Sequence, residues 1–217
     1  MLYRLKKIDR AMTLSGFTLI ELSVVLMIIG IIAGAVFKGQ DLLEAAKIRS
    51  ILNDINRYRL AISSYQETYN SLPGDDPNAS THFGAAIPNG NGDGIINGLE
   101  KNYFWQHLHL AGQTHNSVAP SSKLGGKYTI VYQPSENFSG HWIQLGKENS
   151  DIHNDALFTP KQAQSLKSKA EEGGNLDPLQ GDIRFIEGQG IPKGQCVRDT
   201  HLNLETKFSA CILLARF

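Results

Sequence analysis

The sequence predicts an α+β protein in which one long N-terminal helix packs on a small antiparallel sheet. Three observations carry this reading. Residues 17–72 contain no proline, and their apolar side chains recur at helical spacing. Two later segments, 127–133 (KYTIVYQ) and 141–145 (HWIQL), are dense in β-branched and aromatic residues. Leu72-Pro73-Gly74 then separates the helix from the strand-bearing part of the chain. At 217 residues the chain can bury one sizeable core, and 41% hydrophobic with 19% charged residues is ordinary for a folded protein.

Residues 17–37, FTLIELSVVLMIIGIIAGAVF, form a 21-residue apolar run ended by Lys38. That is long enough to span a hydrocarbon core. It is too long for the apolar part of a secretory signal, and no small-residue cleavage site follows it. Ahead of it, Arg4, Lys6, Lys7 and Arg10 stand against Asp9, a net of +3 over residues 1–16. A basic flank predicts a cytoplasmic N-terminus and an extracytoplasmic remainder. The whole chain has zero formal net charge, so the remainder carries −3 and offers no basic face of the kind nucleic-acid binding needs.

Glu21 is the only charge within this run. An ionised carboxylate in an apolar span costs about 2.5–3.5 kcal/mol at the membrane centre and less near an edge. The span supplies no cation, so a partner must come from another segment or another chain. Gly30 and Gly34 add a GxxxG spacing, which permits close helix contact but is common in apolar runs.

Beyond the span, Ile48, Ile51, Ile55, Tyr58, Ile62, Tyr65 and Tyr69 recur at steps of three and four. They form one stripe, with Arg49, Asn53, Asn56, Arg57 and Arg59 largely off it. A stripe of this kind also suits a coiled coil. Its tyrosines and few matched flanking charges favour a sheet as the partner. Leu72-Pro73-Gly74 stops the helix.

In the head, residues 127–133 and 141–145 read as strands, and 181–186 reads as a third. Thr159 suits an N-cap, Pro160 the first helical position, and Gly173-Gly174 the end of that helix.

Asn89-x-Asn91-x-Asp93-Gly94, with Glu100 closing, follows the calcium-loop pattern of an EF-hand, with Asn where Asp usually opens it. Alternate oxygens would converge on one cation, with Ile95 lending a carbonyl, Asn97 at the ninth place and Glu100 binding bidentately. Two carboxylates imply weak binding, suited to extracellular calcium. The other reading is that Asn-Gly and Asp-Gly pairs simply form turns. Pro88 excludes a normal incoming helix in either case.

There is no Walker glycine loop, no H-E-x-x-H and no nucleophile elbow, so an enzyme is not expected. His82, His107, His109 and His115 are scattered; His107 and His109 would point to different faces of a helix.

Gly16-Phe17-Thr18-Leu19-Ile20-Glu21-Leu22 resembles the class III signal of type IV prepilins and type II secretion pseudopilins. The resemblance implies a leader of residues 1–16, cut by prepilin peptidase between Gly16 and Phe17, with Phe17 then N-methylated. It implies a 17–37 membrane and filament-core helix, a 38–72 stem and a 73–217 pilin-like head at the bacterial inner membrane. Glu21 falls at the fifth mature position, where the family's glutamate pairs with a neighbouring subunit's amine. Many pilins carry a proline early in this helix; this chain has Lys38-Gly39 there instead.

A weaker similarity to some prepilin-like proteins covers Leu72-Pro73-Gly74-Asp75, Trp105 to Gly112, and Thr159 to Gly181. Some pseudopilins bind calcium, although the 89–100 loop does not match theirs residue by residue. Type IV pilins often staple a C-terminal loop, which makes Cys196 and Cys211 a candidate disulfide closing about 15 residues and contributing roughly 3 kcal/mol. Two free thiols are the alternative. The expected partners are prepilin peptidase, other pilin or pseudopilin subunits and the inner membrane. The long polar loops lean towards a minor subunit. An uncleaved single-pass anchor displaying a calcium-stabilised binding domain is the competing reading.

Overall fold

The computed structural model describes residues 16–133, 138–148, 154–171 and 174–217; apart from Gly16, the expected leader lies outside them. The chain divides into two units, Met1–Glu44 and Ala45–Phe217. One helix, α1 (Leu19–Tyr69), contributes to both.

In the first unit the side chains of residues 17–36 are all exposed. This part of α1 is long and apolar enough to cross a membrane.

In the second unit α1 carries the predicted stripe. Ile48, Ile51, Ile55, Tyr58, Ile62 and Tyr65 are each at most 2% exposed, while Leu60 on the opposite face is 72% exposed. Tyr69, the last residue of the stripe, is half-buried against the same core. After it come α2 (Ala79–Phe83), α3 (Glu100–Leu110), β1 (Lys127–Tyr132), β2 (His141–Gly146), α4 (Pro160–Ala170), β3 (Ile183–Glu187), β4 (Val197–Arg198), β5 (His201–Leu202) and β6 (Cys211–Arg216).

The main sheet is antiparallel with strand order β1-β2-β6-β3; β4 and β5 form a separate two-residue ribbon. Pairing register lines up two inward rows. One is Ile130, Ile143, Ala215 and Ile183; the other is Tyr128, Leu145, Leu213 and Phe185. All eight are buried with the α1 stripe and with Phe104, Trp105 and Leu108 of α3. Tyr58 makes edge contacts with Trp105 and Tyr128, ring centroids 5.0 and 5.1 Å apart. The stripe therefore packs into a core that it shares with both the sheet and α3.

The other sheet face has a smaller cluster of Phe138, Trp142 and Leu214 with Val131, Leu179 and Ile186. The Arg184 guanidinium lies 5.0 Å from the Phe138 ring centre and 4.8 Å from that of Trp142.

The predicted strands are all present, the third beginning at Ile183 instead of 181. The sequence reading missed β6, the strand between β2 and β3. Its residues CILLAR are buried at five of six positions, since apolar groups cover both sheet faces. A strand buried on both sides shows no alternation and cannot be told from any short apolar run.

Helix α4 begins as expected. The Thr159 hydroxyl accepts from the Gln162 amide at 3.3 Å, and the Gln162 side chain accepts from the Thr159 amide at 3.1 Å. Lys167 on this helix is fully buried. Its ammonium donates to the Glu171 carboxylate and the Ile183 carbonyl, both at 2.6 Å, and to the Gln180 carbonyl. All three N–H donors are thereby used, which is what a buried lysine requires.

Candidate functional site

The N-terminal signal is built on the first turn of α1. Phe17 is 86% exposed and Gly16 is also exposed. The Glu21 carboxylate accepts from the Thr18 amide and the Thr18 hydroxyl, each at 2.8 Å. In return the Thr18 hydroxyl accepts from the Glu21 amide at 3.3 Å. Thr-x-x-Glu is a capping-box spacing, so within one chain Glu21 takes the Thr18 amide while Thr18 takes that of Glu21. Gly30 and Gly34 face open space; an added Cβ at either meets nothing within 4 Å.

In the 89–100 loop the side-chain oxygens hold backbone amides. Asn89 Oδ1 accepts from the Ser80 amide at 2.7 Å. Asn91 Oδ1 accepts from the Asp93 amide, and Asp93 Oδ1 from the Ile95 amide, both at 2.8 Å. Glu100 is buried, and its two oxygens accept from the amides of Asn91 and Asn97 at 3.0 and 3.1 Å. These carboxylates are directed at backbone donors. Among the described residues no group of three or more His, Cys, Asp or Glu is placed to hold a metal ion.

The residues that hold this loop are ones the sequence reading did not single out. Asp75 is buried, and its oxygens accept from the amides of Gly92 and Gly94 at 2.7 and 2.8 Å. Asp76 is fully buried and accepts from the Tyr65 hydroxyl at 2.8 Å, His82 Nδ1 at 3.0 Å and the Asn78 amide at 2.8 Å. Burial, and then the Asp76 carboxylate, push the Tyr65 hydroxyl well above the usual phenol range.

Gly74 permits the approach. It has φ +90°, and an added Cβ would stand 2.6 Å from the Glu100 carbonyl oxygen. Its amide donates to His107 Nδ1 at 3.0 Å, while His107 Nε2 lies 3.0 Å from the Pro88 carbonyl. Accepting at one nitrogen and donating at the other defines a neutral imidazole, and burial lowers its pKa. His141 is similar: Nε2 accepts from the Ile96 amide at 3.0 Å, and burial again lowers the pKa. The only available signal for these contacts was Leu72-Pro73-Gly74-Asp75 beside a glycine-rich loop, which marks turns without naming partners.

At the C-terminal end the structure joins Cys196 to Cys211, with Cα atoms 5.1 Å apart. The link ties the β4–β5 ribbon to the first residue of β6. Glu187 on β3 supports the same loop, accepting from the Gly194 and Val197 amides at 3.0 and 3.2 Å.

Residues 15–37 match the prokaryotic N-terminal methylation motif, the processing signal of type IV prepilins and pseudopilins. That motif opens α1, whose later turns pack on a small antiparallel sheet, an α+β arrangement consistent with a pilin-like fold. No curated protein and no solved structure matches the chain.

Proposed function

We propose that this chain is a structural subunit, of the minor kind, of a type IV pilus or type II secretion pseudopilus. Prepilin peptidase cuts after Gly16, Phe17 becomes the methylated terminus, and residues 17–37 hold the subunit in the inner membrane before assembly. The observation that carries this reading is the methylation motif at residues 15–37, with Glu21 as the sole charge in a wholly exposed apolar helix segment. A carboxylate costly by itself in lipid becomes tolerable when paired with the amine of a neighbour's new terminus. That pairing draws Glu21 from its Thr18 cap.

The test is Glu21→Gln. The amide still accepts from Thr18 and still inserts, but it carries no charge for the neighbour's amine. Membrane fractionation is expected to show normal insertion, and shear fractions no filament-borne subunit. Normal filaments from Glu21→Gln would count against the proposal and favour a solitary anchor.

Calcium binding by Asn89, Asn91, Asp93, Ile95, Asn97 and Glu100 is a separate proposal that rests on spacing alone. A bound cation would share the Asp93 and Glu100 carboxylates with the amides they hold. Its test is a chelator-reversible rise in Tm on adding calcium.

A further inference from the structure

The head loop contains three Asn-Gly pairs, 89–90, 91–92 and 97–98, and the structure treats them unequally. Asn-Gly is the pair most open to attack of the glycine amide nitrogen on the preceding side-chain carbonyl, because glycine adds no Cβ to obstruct it. Attack requires both groups to be free to turn towards each other.

At Asn89 and Asn91 both groups are tied. Asn89 Oδ1 holds the Ser80 amide at 2.7 Å, and the Gly90 amide donates to the Asp76 carbonyl at 2.9 Å. Asn91 grips Asp93 twice, through Oδ1 at 2.8 Å and Nδ2 at 2.9 Å. The Gly92 amide donates to Asp75 at 2.7 Å.

Asn97 differs. Its carboxamide and the Gly98 amide have no hydrogen-bond partner among the described residues, and both residues are exposed. Gly98 also lines an open cleft of about 410 Å³ with Lys101, Asn102 and Trp105, so water reaches the pair.

We propose that Asn97 is a site of self-catalysed deamidation in the folded protein, and that Asn89 and Asn91 are protected. The Gly98 nitrogen loses its proton to water and bonds to Asn97 Cγ; the Cγ–Nδ2 bond breaks and ammonia leaves. Water then opens the resulting cyclic imide, giving aspartate or isoaspartate, so the net change is amide plus water to acid plus ammonia. The isoaspartate form reroutes the backbone through Cγ. It thereby disturbs the turn in which Glu100 Oε2 accepts the Asn97 amide and the Asn97 carbonyl accepts the Glu100 amide at 2.9 Å. The product carries a new negative charge at the entrance to α3.

The experiment incubates the full-length chain in detergent at mildly alkaline pH, folded or unfolded in urea, and maps the acid products by fragmentation mass spectrometry. In the folded chain Asn97 is expected to convert at least about tenfold faster than Asn89 or Asn91, since those two must first open locally. In urea all three are expected to convert at similar rates. Asn89 or Asn91 keeping pace with Asn97 in the folded chain overturns the proposal, and so does an Asn97 that stays intact there.

Discussion

Asp75 and Asp76 occupy adjacent positions yet serve different parts of the head. Asp75 receives the amides of Gly92 and Gly94, and Asp76 receives Tyr65, His82 and Asn78. Hydrogen bonds to a charged group contribute about 1.5–3 kcal/mol, and a buried donor left without one costs a similar amount. Asp75→Ala is therefore expected to lower the unfolding free energy of the detergent-solubilised chain by about 2–4 kcal/mol, read by urea denaturation. An unchanged midpoint would mean that the loop does not depend on this carboxylate.

The histidines make a pH prediction. Burial holds His107 and His141 below the ordinary value of 6.5, so the unfolded chain binds more protons than the folded one as pH falls past that value. Their contribution is complete above about pH 6.5 and is lost progressively as pH drops towards their folded values. The Tm is expected to fall between pH 7 and 5, and His107→Gln is expected to flatten part of that slope while lowering the starting Tm. Little of this was legible in the sequence. The partners of Asp75 and His107 are set by packing between residues well separated in sequence, which leaves no periodic mark.

At the scale of elements, periodicity carried most of the information. The α1 stripe, strands β1 and β2 and the capped start of α4 were all readable because each obeys a local rule: a three-four repeat, β-branched density, or Thr-Pro at a helix entrance. Strand β6 obeyed none, since its two faces are both covered and its neighbours in the sheet are distant in sequence. Its central position makes it costly to disturb. Leu213→Ala on β6 is expected to cost about 2–5 kcal/mol, while Leu60→Ala on the exposed side of α1 changes stability by no more than about 0.5 kcal/mol. Equal effects in a denaturation series would place the core on the wrong face of the helix.

Considered whole, the molecule joins two units with different solvation needs. The first exposes a continuous apolar surface that water does not accommodate; the second closes its own core around the α1 stripe, the sheet and the Cys196–Cys211 link. A soluble domain has no use for the first unit, whereas a subunit drawn from lipid into a filament uses it in both settings. Under the proposed function, cleavage after Gly16 frees the amine that the Glu21 of a neighbour would pair with, and that processing is the central claim. The helix signal and its one carboxylate were legible because they are local. The contacts that hold residues 88–94 to Asp75 and His107 were not, as they join residues distant in sequence.

The most direct measurement is the intact mass of the protein purified from membranes of a host with an active prepilin peptidase. The account expects a mature chain beginning at N-methylated Phe17, without residues 1–16. An unprocessed mass, beside a control prepilin that is cut in the same membranes, would contradict it and leave a signal-anchored head domain.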